Sequence, residues 1–308
     1  RHRHDQVLVA VGVEVQPVAA ADRRAAVAGH VPREAEARRD PLTRMKQFLL
    51  DEGLATQATI NDAFGVEATP LVANGRLYVT STWSRVFAFD AATGERLWTY
   101  DPEVPREWLR QGCCKAVNRG VALWKDKVYV GAFDGRLIAL DARTGEPVWT
   151  ADTTDRQPLY TITGAPRVVK GKVIIGNGGG DFGTRGYISA YDADTGKLAW
   201  RFYIVPRDPK LGQEHAELDA ALHTWDPDRD WSVGGGGNAW DSMSYDPELD
   251  LLYVGTGNGG PYDPRRRNPG GGDSLYLSSI LALRPDTGRL VWRYQTTPGD
   301  DWDYTAVQ

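Results

Sequence analysis

Only two cysteines occur among the 308 residues, and they are adjacent, Cys113 and Cys114. A disulfide-rich framework and a cysteine-based zinc site are thereby excluded, since each needs more thiols at wider spacing. Positive charge is not in excess either: 36 Lys and Arg face 41 Asp and Glu. A nucleic-acid binder would show a basic patch or stripe, so that class is set aside. No apolar run approaches the roughly 20 residues that a membrane-spanning helix needs. Aromatic residues are missing from the first part of the chain, none occurring before Phe48. What the chain has instead is 34 Gly and 18 Pro, a turn-rich composition that suits short strands better than helices. Its 11 Trp and 13 Tyr, in a chain that is 41% hydrophobic, are enough for a sizeable core.

The N-terminal stretch differs from the rest. Residues 1–40 are rich in Ala, Arg and Val, and three of the five His (His2, His4 and His30) lie there. Residues 7–13 form a short apolar run after a basic start, loosely like an export signal, but Glu14 interrupts it early. The first residue is Arg rather than Met, which reads as a partial chain. Residues 42–53 could form a short helix ending at Gly53. We therefore take residues 1–58 as an irregular or short-helical segment and residues 59–308 as the folded domain.

From Glu67 onward the chain repeats itself. The run Asp90 to Trp98 recurs as Asp141 to Trp149 and as Asp192 to Trp200. A fourth copy runs from Arg284 to Trp292, each with Thr-Gly followed by Trp at constant spacing. The copies start 51, 51 and 92 residues apart. Before each lies an apolar or alternating run (residues 86–89, 137–140, 188–191 and 280–283), and upstream of that another (77–79, 128–130, 173–175 and 252–254). The pattern predicts a strand, a tight turn at Thr-Gly where Gly supplies positive φ, and a strand carrying the Trp. One such unit cannot bury both faces of its sheet, so neighbours must stack. Four-stranded units at this period indicate a β-propeller. Trp98, Trp149, Trp200 and Trp292 are then structural, packing between adjacent blades. The longer interval holds a blade with an insertion near residues 205–235, with His215, His223, Trp225 and Trp231, which either lines an entrance or is a surface loop.

Chemistry enters at Gln111-Gly112-Cys113-Cys114 and Val117-Asn118-Arg119-Gly120. Neighbouring cysteines can bridge only through a strained eight-membered ring, because ordinary disulfides want their Cα atoms about 4.4–6.8 Å apart. Taken alone, the pair reads either as such a ring or as two free thiols. Further motifs follow in order: Glu67-Ala68-Thr69-Pro70, the Gly-rich run from Gly176 through Asp181 to Gly186, Asn238-Ala239-Trp240-Asp241, Gly257-Asn258, and Asp300-Asp301-Trp302-Asp303-Tyr304.

Together these motifs resemble the quinoprotein alcohol dehydrogenases, the family that uses pyrroloquinoline quinone (PQQ) and calcium and includes methanol dehydrogenase. The resemblance runs from about Glu67 to Gln308. It implies an all-β fold, an eight-bladed propeller, of which this chain would hold roughly the first half as four to five four-stranded antiparallel blades with docked tryptophans. It also implies that Cys113 and Cys114 form a vicinal disulfide over one face of PQQ, with Trp240 on the other. Glu67 and Arg119 align with residues that line the PQQ carboxylates, where a planar guanidinium can donate two parallel hydrogen bonds. Thr163, Gly179, Gly180 and Asn238 would supply nearby hydroxyl, backbone and amide groups, Asn238 standing where relatives often have Thr.

A Ca²⁺ site wants six to eight oxygens, and the resemblance assigns Asp181, Asn258 and Asp303 to it. Asp181 stands where relatives typically have the longer Glu. Relatives that use a lanthanide carry a second Asp two residues after the base; here that position is Thr305, which favours calcium. Asp303 would be the general base taking the alcohol proton, with Asp300 and Asp301 as the competing carboxylates. The resemblance further implies a periplasmic enzyme oxidising primary alcohols and passing electrons to cytochrome c or a quinone. In haem-containing relatives a haem c domain follows the propeller, so the resemblance allows haem c only in such a C-terminal domain, and the present chain alone is expected to be inactive. The competing reading is a non-catalytic propeller scaffold, which fits the repeats but has no use for Cys113, Cys114, Trp240, Asn258 and Asp303 together.

Overall fold

The computed structural model describes residues 67–154, 159–304 and 307. The signal-like run, the helix expected at 42–53, the boundary at 59 and Thr305 lie outside the described residues. Four antiparallel sheets of four strands follow one another along the chain. The first comprises β1 (Leu71–Ala73), β2 (Arg76–Thr80), β3 (Val86–Asp90) and β4 (Arg96–Tyr100). The second holds β5 (Ala122–Trp124), β6 (Lys127–Gly131), β7 (Arg136–Asp141) and β8 (Pro147–Asp152). The third holds β9 (Arg167–Val169), β10 (Lys172–Gly176), β11 (Tyr187–Asp192) and β12 (Leu198–Tyr203). The fourth is built from β14 (Met243–Asp246), β15 (Leu251–Gly255), β17 (Ser279–Leu283) and β18 (Leu290–Gln295). Two short Gly-Gly strands, β13 (Gly235–Gly236) and β16 (Gly259–Gly260), pair with each other outside these sheets. The apolar runs read from the sequence are β2, β6, β10, β15 and β3, β7, β11, β17, so the repeat is a propeller blade and the described residues hold four of them.

The repeated turn has a definite chemistry. In the first three blades the Asp Oδ1 accepts hydrogen bonds from the backbone N–H and the hydroxyl of the Thr three residues on, at 2.7–3.1 Å. These bonds hold the carboxyls of Asp90, Asp141 and Asp192 below the usual carboxylate range. Arg284 replaces the Asp in the fourth blade. There the turn closes through Arg284 O, which accepts from Gly288 N at 2.8 Å, while the guanidinium donates to Leu249 O at 2.9 Å.

The Trp of each of the first three blades then docks on the next blade's turn. Trp98 Nε1 donates to Ala142 O, Trp149 Nε1 to Ala193 O and Trp200 Nε1 to Pro285 O, at 3.1, 3.1 and 2.9 Å. The indole lies flat over the turn glycine, which has no side chain to hold it off. A Cβ on Gly196 would sit 2.7 Å from Trp149 Cε3. Apolar side chains fill the three spaces between neighbouring sheets, with Val130, Ile138, Ile174, Leu252 and Leu281 at 0% exposure. Among the described residues the stack does not close: Trp292 of the last blade is 42% exposed, and no described atom lies within 4 Å of where a Gly94 Cβ would be.

The insertion is more than a surface loop. Helix α1 (Ala216–Leu222) buries Leu218 and Ala221, and His215 ahead of it stacks on Phe202 with ring centres 4.2 Å apart. Burial pushes His215 below its usual range, and its Nε2 accepts from Tyr203 N at 3.0 Å. Trp225 is buried and donates from Nε1 to Leu275 O at 2.6 Å. Arg229 lies between the rings of Trp225 and Trp231, at 4.6 and 4.8 Å. Arg185 ties this segment to the third blade by a two-point ion pair with Glu214 at 2.7 and 2.9 Å. His223, Trp225 and Trp231 also line a cavity of about 360 Å³.

In an up-and-down sheet the connections alternate between two ends. The docking turns (β3–β4, β7–β8, β11–β12 and β17–β18) fall at one end, and docking brings these ends together from blade to blade. The β2–β3-type loops and the crossings to the next blade therefore gather at the other end. Every candidate site residue lies on a segment of that second kind.

Two substitutions separate docking from turn strain. Gly94 and Gly196 both have φ near the left-handed region, +73° and +71°, where a Cβ costs about 1–2 kcal/mol. Gly94→Ala should lower stability by about that amount, whereas Gly196→Ala also drives a methyl into Trp149 and should cost about 1–3 kcal/mol more. Equal losses in denaturant unfolding of the two variants would mean that the indole does not rest on the glycine as described.

Candidate active site

Glu67, Arg119, Thr163 and Trp240 occupy one recurring position. They lie three or four residues before β1, β5, β9 and β14, the first strands of the four blades. These first strands neighbour one another, β5 beside β9 and β9 beside β14. The segments ahead of them are bonded in series: Thr69 N donates to Arg119 O at 3.1 Å and Arg119 N to Thr163 O at 3.0 Å. A Cβ on Gly164 would run into the Trp240 carbonyl, so the third and fourth segments are in close contact too. Side chains follow the same line. Arg119 Nη2 is 2.7 Å from Glu67 Oε2, and the guanidinium lies over the Trp240 ring at 4.5 Å.

A second group forms where three glycine-bearing segments meet. Gly180 would place a Cβ 2.7 Å from Asn238 Oδ1, so only glycine leaves room for that amide. Asn238 Nδ2 donates to Gly178 O at 3.0 Å and to Thr184 Oγ1 at 2.9 Å. Asn258 lies on the neighbouring segment: its carbonyl accepts from Gly237 N at 2.8 Å, and its Nδ2 donates to Gly259 O at 3.1 Å. Gly179 and Gly180 thus sit beside Asn238, and Asn258 runs alongside.

The carboxylates come together through a residue that the motifs did not single out. Tyr262 Oη donates to Asp181 Oδ1, and it lies 3.4 Å from Asp303 Oδ2. Asp181 and Asp303, 122 positions apart in the chain, are therefore held around one phenol oxygen. Burial, and next the charge of Asp181, push the Asp303 carboxyl above its usual range. The phenol is pushed up too, by burial and by its bond to Asp181, so its proton stays in place. Of the competing carboxylates, Asp300 is buried and occupied: Oδ2 accepts from Ser278 Oγ at 2.9 Å and Oδ1 from Trp302 N at 3.0 Å.

Arg267 is another residue that sequence reasoning missed. It is fully buried, at 0% exposure, on the short helix α2 (Pro264–Arg267). Its Nη1 donates to Pro261 O and Tyr262 O at 2.7 and 3.0 Å, and its Nη2 to Asp300 O at 2.6 Å. One guanidinium thus ties the Tyr262 segment to the segment leading to Asp303. The only sequence signal was position, since Tyr262 and Arg267 follow the Gly-Asn motif closely.

Cys113 and Cys114 are joined to each other, with Cα atoms 3.8 Å apart. They are exposed and follow a short 3₁₀ segment, Arg106–Gln111. Asn118, from the same motif, is a bolt rather than a ligand: it is buried, donates to Gly131 O at 2.8 Å and accepts from Gly120 N at 3.0 Å.

Exposed vicinal sulfurs, an indole, a guanidinium–carboxylate pair and two carboxylates on one phenol now stand at one end of a four-blade stack. A sequence profile for the PQQ-type glucose/ethanol/alcohol dehydrogenase β-propeller domain matches residues 49–307. The chain belongs to this family. It is 65% identical over 256 residues to quinohemoprotein alcohol dehydrogenase ADH IIB of Pseudomonas putida, covering 83% of this chain and 37% of that protein. To quinohemoprotein alcohol dehydrogenase of Comamonas testosteroni it is 57% identical over 260 residues, covering 84% of this chain and 37% of the relative. The crystal structure of the Comamonas testosteroni enzyme superposes with a TM-score of 0.78 at 59% identity, over 79% of this chain and 37% of that one. A europium-containing methanol dehydrogenase superposes with a TM-score of 0.69 at 39% identity, over 77% and 43% of the two chains. The chain thus spans well under half the length of the relatives it matches.

The cysteine link can be checked directly. Protein prepared under oxidising conditions should gain two hydrogens on reduction and take up alkylating reagent only afterwards. Two thiols that alkylate without reduction would show that the pair is not closed.

Proposed function

We propose that this chain is the part of a periplasmic, PQQ- and Ca²⁺-dependent alcohol dehydrogenase that carries the general base and the metal carboxylates. The observation that carries this reading is the convergence of Asp181 and Asp303 on Tyr262 in a chain of this family. The donor set fits the groups. Two carboxylates around one oxygen repel each other unless a proton or cation lies between them, and the family resemblance adds the amide oxygen of Asn258. Three protein groups fall short of the six to eight oxygens calcium takes, and the remainder comes from water or from a bound ligand. An anionic quinone rich in oxygen is a ligand that suits such a site.

When bound, PQQ with Ca²⁺ supplies the two-electron redox chemistry that no side chain can provide. The residues of this chain do the rest. Arg119, already charged and placed by Glu67, offers a planar fork to a carboxylate. The disulfide and the Trp240 indole provide rigid apolar faces for a flat tricycle. Thr163, Gly179, Gly180 and Asn238 supply nearby polar groups and close backbone approach. Asp303 accepts the hydroxyl proton of a primary alcohol as the C–H bond breaks. Relatives include an alcohol dehydrogenase (quinone) subunit of Komagataeibacter europaeus and a 1-butanol dehydrogenase (cytochrome c) of Thauera butanivorans. A quinone or a cytochrome c is accordingly the proposed electron acceptor.

In the intact enzyme, Asp303→Asn should keep PQQ bound and lower alcohol oxidation about 10²–10⁴-fold, the usual loss when a general base is removed. Asp181→Ala should instead regain part of its activity as Ca²⁺ is raised, because mass action offsets a weakened metal site. Near-normal turnover of Asp303→Asn with PQQ and calcium saturating would move the base to another residue, Asp301 first, since Asp300 is already occupied.

A further inference from the structure

We infer that Tyr262 is a positioning residue whose phenol sets the spacing of Asp181 and Asp303, and so prepares these two carboxylates to hold a divalent cation. The inference rests on the reading of these two carboxylates given above, and it adds a residue that the reading does not need. Three observations carry it.

The first is the double contact of one hydroxyl with two carboxylates from distant segments. A phenol has one proton, so it can donate to one carboxylate at a time. It donates to Asp181 here. Once a cation takes up the Asp181 oxygens, that proton can turn to Asp303 and orient the base without neutralising it.

The second is that the phenol is itself fixed. Arg267 bonds to the carbonyls of Pro261 and Tyr262 on one side and of Asp300 on the other. The backbone that presents the ring and the backbone that leads to Asp303 therefore share one buried anchor. The third is that both carboxylates stand on constrained backbone. Asp181 lies in a single 3₁₀ turn between Gly179 and Gly183, whose φ values are +93° and +82°. Asp303 has a φ of +53°, a left-handed conformation that a non-glycine residue adopts only at some cost. The hydroxyl that bonds one of these carboxylates and abuts the other narrows the side-chain torsions open to both.

The test is Tyr262→Phe in the intact enzyme, which keeps the ring and removes only the oxygen. Calcium affinity, measured by equilibrium dialysis, should fall about 10–100-fold, the usual consequence of losing a group that orients a metal ligand. At saturating calcium, kcat should remain reduced while KM for the alcohol is unchanged, because the base is less well oriented and the alcohol pocket is intact. If the ring rather than the hydroxyl matters, Tyr262→Phe will match the wild type and Tyr262→Leu will be impaired, which overturns the inference. Wild-type calcium affinity in Tyr262→Phe overturns it as well, and leaves the proposed activity standing. A wild-type enzyme that binds no calcium overturns both.

Discussion

The indole that rests on a bare glycine in the next blade is the interaction on which the rest of the structure depends. It requires three things of the sequence at once: a glycine in left-handed conformation, a carbonyl at the turn to accept the indole N–H, and a Trp at fixed spacing in the preceding blade. Because each blade makes these contacts only with its neighbours, the four sheets form a one-dimensional array. Sheets aligned in this way have all their docking turns at one end. The segments at the other end carry no share of the docking, and it is there that Glu67, Arg119, Thr163, Asn238, Trp240, Asn258 and Asp303 lie.

Electrostatics at that end is arranged in two unlike pairs. Arg119 and Glu67 neutralise each other, and the cation gains the face of Trp240, an interaction worth about 0.5–2 kcal/mol depending on exposure. Asp181 and Asp303 have no such balance. They are like charges beside a neutral phenol, and Asp303 holds its proton more tightly than usual, first through burial and next through the charge of Asp181. A balanced pair can stand in water unaided, whereas the unbalanced pair favours whatever positive charge can reach it.

Much of this was legible in the sequence because it is periodic. Strands β2, β3 and their counterparts, the glycine turns and the docking tryptophans repeat, and a repeat can be read without knowing what touches what. The Asp that opens the turn was visible in three of the four quoted repeats, yet its bonds to Thr93, Thr144 and Thr195 were not read from it, since the glycine alone explained the turn. Tyr262 and Arg267 were illegible for a different reason. Each occurs once, and its partners stand far off in sequence, Asp181 and Asp303 for the one and Asp300 for the other. Nothing local distinguishes a tyrosine that bridges two carboxylates from one that covers a loop. The insertion was half legible: its aromatic residues were noted, but the packing of Trp225 and His215 against the third and fourth blades depends on burial that no spacing reveals.

The position just ahead of each blade's first strand holds a carboxylate, a guanidinium, a hydroxyl and an indole in the four successive copies. A fold built from copies normally presents the same group everywhere, as the docking turns do. Here one end of the copies is kept alike while the other is allowed to diverge, and the two ends are separated by the full length of the strands. A change of side chain at that position leaves the seating of indole on glycine untouched, although it alters the contacts that Arg119 makes with Glu67 and Trp240. The molecule can therefore alter what it recognises one blade at a time, each copy being a separate address for variation on a scaffold held by its opposite end.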